Sequence, residues 1–370
     1  MREIFEAIEK EVHAWTCYDL DRLDQPGLKV GIKDNINSID FPTRRGSPIY
    51  KDYTPGNDAR VVSKLKQAGC VIVGKTTTAE FGVHHLYDDT KNPHDYSRTP
   101  GTSSAGSAAA VATGQVPVAI GTQTGGSVIR PASYCGVWAF KPSFGLIPRT
   151  GILKTADTLD TVGIFADTPT RLRQVFDILR VGGPDYPKTG GLKKYKDTTK
   201  VRPLPEWHPL LSFALILHQK IYHKSLSYYF KNEVEQFPDL VSDTFKRQVE
   251  EGKAISLEEY RRCLTHQAEL ADQLEEMFFK DCDILVCNSS AGPAPHDESY
   301  REPDTCAVWT LAGFPVVNVP TDVEMNLPKG TQFIARKYQD YKLLKFVEGL
   351  ALNGDLPYYP NPDIRRFKWT

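Results

Sequence analysis

The sequence predicts an α/β fold, and a strand–helix–strand alternation near its start carries that prediction. KVGIKDNI (29–36) is a short β-like run that ends in a polar turn. ARVVSKLKQAG (59–69) follows with helical spacing, Asp58 standing as an N-cap and Gly69 as the stop. CVIVG (70–74) is then an apolar run of the length expected for a buried strand. The same two patterns return later. TRLRQVFDILRVGG (170–183) is an amphipathic helix, and CDILVC (282–287), FPVVNVP (314–320) and TQFIA (331–335) are strands.

The remaining elements fill in around these. Ile4, Phe5, Ile8, Val12 and Trp15 share a helical spacing within residues 1–24. TTTAEFG (76–82) begins a helix or a turn, and NPHDYSRTP (92–100) is a loop by its Pro, Asn and Ser content. Residues 185–200 read as a surface connection and 206–250 as mixed helical patterning with frequent aromatics. Ser256 and Glu259 form a capping box ahead of the long helical pattern 260–279. A last helix runs from Tyr341 to Leu352, and the tail 357–370 is expected to lie extended on the surface.

Composition narrows the function classes. The chain is 40% hydrophobic and 25% charged, so a sizeable core is expected. Lys and Arg number 45 against 46 Asp and Glu, a formal net charge of −1, which argues against nucleic acid as a partner. Seven cysteines are scattered without a CxxC pair, and no secretory signal opens the chain. Together these lead us to expect reduced thiols and a cytoplasmic location. The apolar run LLSFALIL (210–217) falls far short of the ~20 residues needed to span a bilayer, so no membrane role is expected.

Several motifs match by letter but not by physics. Residues 69–76 spell GxxxxGK[ST], yet the letters between the glycines are CVIV, themselves a strand, where a phosphate loop needs open backbone. Ser63 to Lys66 spells SxxK on the polar face of a helix. His84, His85 and His94 have no metal-ligand spacing and are expected in a loop or pocket wall, and no metal or organic cofactor is expected.

Hydroxyl chemistry is left, and it concentrates in residues 101–145. This stretch is dense in Gly, Ala, Ser and Thr around the apolar runs AAAVA and VPVAI, a composition for backbone packed closely on backbone. Ser103, Ser104, Ser107 and Ser127 lie in it without a histidine, so a serine nucleophile here needs another base. Lys33, between Gly-Ile and Asp-Asn at a strand end, qualifies if burial lowers its pKa, its alternative being a surface lysine in a loop. Thr124 to Ser127 reads TGGS, and consecutive small residues before a hydroxyl can aim several N–H groups at one oxyanion.

Lys33 within VGIKDNI, Ser103 within GTSSAGSAAAVA and Ser127 within GTQTGGSVIRPASYCGVWAFKPSFG together resemble the amidase signature family. The likeness continues through GKTTTAEFG (74–82), TLDTVGIFA (158–166) and FPVVNVP with GTQFIA, strongly over 29–183 and more weakly over 283–352. It implies one α/β/α domain over residues 1–370, with a twisted mixed β-sheet between helical layers. Within it lie a signature core at about 29–183, a variable helical region at about 185–280 and the C-terminal part of the sheet at about 281–352.

The resemblance also implies roles. Ser127 is the implied nucleophile, Ser103 the bridging serine after a cis peptide bond, and Lys33 the base acting through Ser103. The N–H groups of Thr124, Gly125, Gly126 and Ser127 are the implied oxyanion hole. The implied reaction is hydrolysis of a linear carboxamide through an acyl-enzyme, on a small-molecule amide and without a cofactor, with a homodimer among the allowed assemblies. Two other readings stay open: the glutamine-amidase subunit of a tRNA-dependent amidotransferase, and a catalytically silent binding relative.

Three positions depart from the family pattern. Thr102 stands where Gly usually precedes the bridging serine, Gln123 replaces the Asp of a GTD block, and the arginine after the nucleophile is Arg130 rather than residue 129. The GSVIRPA variant resembles a malonamidase-like subgroup whose matching arginine holds a substrate carboxylate. Arg130 therefore either binds such a carboxylate bidentately or is a structural arginine bonding loop carbonyls.

Overall fold

The computed structural model describes residues 2–83, 89–182, 199–205, 208–297 and 304–356. Its strands are β1 (Trp15–Tyr18), β2 (Lys29–Lys33), β3 (Val71–Thr76), β4 (Val118–Gln123), β5 (Trp138–Lys141), β6 (Thr161–Ala166), β7 (Val201–Pro203), β8 (Ile284–Asn288), β9 (Val316–Glu324) and β10 (Leu327–Ala335). The helices of the first half are α1 (Arg2–Val12), α2 (Arg60–Gln67), α3 (Ala105–Ala112), α4 (Ile129–Cys135) and α5 (Pro169–Leu179). Those of the second half are α6 (Pro209–Tyr229), α7 (Lys231–Gln236), α8 (Asp243–Ala254), α9 (Leu257–Phe278), α10 (Cys306–Leu311) and α11 (Asp340–Asn353).

All ten strands join one sheet, in the order β1-β3-β2-β4-β6-β5-β9-β10-β8-β7. It is mixed: β2 runs parallel to β3 and β4, β7 runs parallel to β8, and the other neighbours are antiparallel. Alternation along the strands supplies both faces. Val73, Ala119 and Phe165 enter one apolar cluster with α1, α3, α4, α6, α9 and α10. Ile72, Ile120 and Ile164 enter the other with α2, α5 and α11. The architecture is a sheet between two helical layers: the α/β class agrees with the alternating sequence and the layering with the family resemblance.

Several helices end where the sequence placed their signals. The Ser256 hydroxyl accepts from Glu259 N at 3.1 Å and starts α9. Gly69, at φ +79°, follows the end of α2. The start of α2 differs from expectation. Ala59 holds the cap position, and the Asp58 carboxylate is drawn away to Ile39 N and Lys66 Nζ, both at 2.8 Å. The first helix also ends earlier than the apolar spacing implied, because Trp15 leaves it for β1. TTTAEFG is a strand end and a turn, and the region between residues 185 and 280 contributes the edge strand β7 as well as helices. His84 and His85, most of the connection at 183–198 and the tail 357–370 lie outside the described residues. Among the described residues no helix is long and apolar enough to cross a membrane.

The small-residue stretch packs as its composition demands. Every residue of α3 is buried, and a β-carbon on Gly106 would stand 2.2 Å from Ala14 O, which only glycine avoids. That close approach brings the backbone after Ser103 against the start of β1.

Candidate active site

β2 and β4 are parallel neighbours with Ile32 opposite Ile120, so both chains leave the sheet at one edge. Lys33 closes β2 there. The turn bearing Ser127 follows β4, and α3 and β4 are the elements that separate it from Ser103.

Lys33 is fully buried and its Nζ donates to Ser103 Oγ at 2.8 Å. The same Nζ lies 3.1 Å from Thr122 Oγ1, which also accepts from Asn35 Nδ2 at 2.9 Å. The Thr102–Ser103 peptide bond is cis. Ser103 is buried as well, and its carbonyl accepts from Ala79 N at 3.3 Å, tying it to the turn after β3. Gly82 of that turn faces the pair: a β-carbon there would lie 3.9 Å from both Lys33 Nζ and Ser103 Oγ.

Ser127 is half-buried. Among the described residues nothing accepts a hydrogen bond from the N–H of Gly125, Gly126 or Ser127, whereas the next two N–H groups are taken. Gln123 Oε1 accepts from Val128 N at 2.7 Å and from Ile129 N at 3.0 Å. This is the position where the pattern the sequence resembles has an acidic residue. The neutral amide keeps the acceptor, and its Nε2 donates to Thr310 Oγ1 at 2.9 Å, which a carboxylate there would not do.

A cavity of about 460 Å³ adjoins this pair. Asn35, Gly82, Thr122, Thr124, Arg149 and Asp160 are among the residues that line it, and Ser103 and Ser127 are not. The Asp160 carboxylate is fully engaged, accepting from Thr124 Oγ1 (2.7 Å), Thr155 N (2.8 Å), Thr155 Oγ1 (2.5 Å) and Ala156 N (3.1 Å). It thereby fixes the strand end that carries Thr124 to the loop opposite.

Arg130 is nearly buried at 5% exposure. Its Nε donates to Asp304 Oδ2 at 2.6 Å and its Nη1 to the Thr102 carbonyl at 3.3 Å. A β-carbon on Gly126 would stand 2.3 Å from Arg130 Nη2, so the guanidinium lies against the backbone beside Ser127. Of the two arrangements open from sequence, this one has the arginine holding a loop carbonyl and an internal carboxylate.

Sequence reasoning missed His218 and Thr310. His218 sits on α6 with Nε2 2.8 Å from the Thr124 carbonyl, and burial pushes its pKa down to about 4. Thr310 Oγ1 lies 2.7 Å from the Gly125 carbonyl. The only hint of His218 in the sequence is a histidine following the apolar run LLSFALIL. His94, by contrast, has Nε2 3.0 Å from the Cys135 carbonyl. The lysine of the false phosphate-loop match, Lys75, lies within β3 and pairs with Asp34 at 2.9 Å with neither side chain exposed. No cluster of three or more His, Cys, Asp or Glu suited to a metal occurs among the described residues.

Comparison with known proteins bears on the whole constellation. Residues 20–189 match the family model described as Amidase. The chain is 28% identical to the A subunit of glutamyl-tRNA(Gln) amidotransferase from Natranaerobius thermophilus, over 86% of this chain and 80% of that protein. It is 44% identical to the Halobacterium salinarum protein of the same name, over 43% of this chain and 38% of that one. Among solved structures, the A subunit of glutamyl-tRNA(Gln) amidotransferase from Thermotoga maritima superposes with a TM-score of 0.82 at 26% identity, covering 98% of this chain and 93% of that one.

Proposed function

From the match of residues 20–189 to the Amidase family model, we propose that this chain is an amidase signature enzyme and hydrolyses a linear carboxamide, with Ser127 as nucleophile, Ser103 as relay and Lys33 as base. The observation that carries the reading is the contact of 2.8 Å between two buried groups, Lys33 Nζ and Ser103 Oγ. Both groups are buried and in direct contact, so a proton can pass between them without an intervening group.

In the proposed cycle Lys33, as the free amine, takes the Ser103 proton while Ser103 takes that of Ser127. Ser127 Oγ attacks the carbonyl carbon, and the developing oxyanion is received by the unpaired N–H groups of Gly125, Gly126 and Ser127, with Thr124 at the edge of the set. Collapse breaks the C–N bond, and the relay returns its proton to the departing nitrogen. Water then resolves the acyl-enzyme by the same relay, leaving a carboxylate. Arg130 is read as a brace of the Thr102 carbonyl and the Gly126 backbone.

The test is ammonia release over a panel of primary amides, glutamine included, by the wild type and by Ser127→Ala and Lys33→Ala. Each variant is expected to lose at least about 10³-fold in kcat. Full activity in both overturns the mechanism.

A second reading is favoured by the names of the relatives: a glutamine-amidase subunit that hands ammonia to a partner protein. It predicts a tightly co-purifying protein and a preference for glutamine. A chain that is monomeric or pairs only with itself, and that releases ammonia from simple amides as readily as from glutamine, counts against it.

A further inference from the structure

The peptide plane fixes a relation between neighbours: the C=O of one residue and the N–H of the next point in opposite directions. The N–H groups proposed to receive the oxyanion belong to Gly125, Gly126 and Ser127. Their directions are therefore set by whatever holds the carbonyls of Thr124, Gly125 and Gly126, and all three carbonyls are held. The Thr124 carbonyl takes His218 Nε2 at 2.8 Å, and the Gly125 carbonyl takes the Thr310 hydroxyl at 2.7 Å. The Gly126 carbonyl takes Arg130 N at 3.0 Å.

Two of these holders are side chains from outside the signature core. His218 comes from α6 and Thr310 from α10, and both are buried. The hydroxyl of Thr310 is itself directed. Gln123 Nε2 donates to it at 2.9 Å, which occupies an oxygen lone pair and leaves the proton to go to the Gly125 carbonyl, or to its own helix carbonyl, Cys306 O, at 3.1 Å. The shorter contact favours Gly125.

We propose that His218 and Thr310 are positioning residues for the oxyanion hole, clamping the carbonyls of Thr124 and Gly125 so that the N–H groups behind them face the reacting carbonyl. The inference rests on Ser127 being the nucleophile. His218 does this as a neutral donor from Nε2, and burial keeps it neutral at physiological pH. Without the clamp the two peptide planes are free to rotate, and the donors lose the fixed aim that gives a preorganised hole its effect. Both contacts run to backbone carbonyls, so the loss should fall on the rate of attack at Ser127 more than on binding.

The experiment uses a fluorophosphonate, whose attack by serine also builds negative charge on an oxygen, and measures the maximal labelling rate and the half-saturating concentration separately. The variants are paired: Thr310→Val and His218→Phe remove the donors, while Thr310→Ser and His218→Gln keep them. We expect the first two to slow maximal labelling by about 10–100-fold, below the effect of deleting a hole donor outright. The half-saturating concentration should stay within about threefold, and the second two should recover most of the rate. Wild-type labelling rates in folded Thr310→Val and His218→Phe overturn the clamp, as do conservative variants as slow as the deletions. If Thr310→Val does not fold, the two His218 variants decide by the same criterion. Labelling that persists in Ser127→Ala sinks the nucleophile assignment instead, a result distinguishable from failure of the clamp.

Discussion

The edge of β2 and β4 and the helical region α6 to α9 hold their side chains by opposite means. At the strand edge the parts are small and polar. Hydroxyls, amides and backbone groups meet at 2.7–3.1 Å around Lys33, Thr122 and Gln123. In the helical region the parts are large and apolar. Phe81, carried on the turn after β3, lies 4.9 Å from the ring centroids of both Phe230 and Phe245. Polar links from the helices to the strand edge or to the turn behind it are correspondingly few, chiefly His218 to Thr124 O and Ser242 to the buried Glu80 carboxylate. The contrast teaches where each kind of change should register. The strand edge fails through unsatisfied polar groups, and the helical region through lost volume.

The largest stability effect is therefore expected behind the strand edge, at the Lys75–Asp34 pair. Burial pushes Asp34 up and Lys75 down, each against the pull of the other's charge. Asp34 also accepts from Arg44 N, and Lys75 Nζ also donates to Thr43 Oγ1 at 2.7 Å. Lys75→Met strands a buried carboxylate and should lose stability at the upper part of the ~3–5 kcal/mol range. Equilibrium urea unfolding measures it. A loss under about 1 kcal/mol would show that the polar edge is less tightly coupled than its geometry indicates.

A smaller loss, about 3–4 kcal/mol, is expected from Phe245→Ala, which opens a cavity in the cluster of Phe81, Phe230 and Val249. Phe81 belongs to the turn whose Ala79 N holds the Ser103 carbonyl. Repacking of that cluster should therefore reach the relay, with a fall in kcat at unchanged KM. Loss of stability with kcat intact would mean that the helical region and the strand edge are uncoupled at this point.

How much of this was legible in the sequence follows the same division. β3, α5, α9, β8 and α11 carry clean periodicity or caps and appear close to where the pattern put them. α3 does not, since a helix buried all round has no polar face to mark it, and β7 is three residues at a sheet edge. Asp58 shows the limit of cap rules: its carboxylate accepts from Ile39 N and from the Lys66 side chain near the far end of α2 instead of from the first N–H groups of that helix. At the site, the roles of Lys33, Ser103 and Ser127 came from the family likeness, because no local spacing joins a lysine to a serine 70 residues away. His218 carried no signal beyond its place after an apolar run, because its partner is a backbone carbonyl in another element.

His218 also supplies the smallest effect and the sharpest one to test, because it touches the turn that carries Ser127 and titrates in a known direction. Its folded pKa is depressed to about 4, chiefly by burial, with His223 and Arg130 adding in the same direction and the Thr124 carbonyl and Asp304 opposing. The unfolded chain, with an ordinary histidine near 6.5, binds the proton first as pH falls. Stability from neutral His218 is thus complete above about pH 6.5 and is lost progressively down to about pH 4, by no more than about 3 kcal/mol. His218→Gln keeps the donor to Thr124 without the titration, and the carboxylates titrate alike in both proteins. The difference in unfolding free energy between the two should therefore shift in favour of the variant between pH 7 and pH 4.5. A difference that stays constant over that range would mean that His218 is solvated well enough to accept its proton in place, and that the helical region meets the strand edge less closely than the distance of 2.8 Å implies.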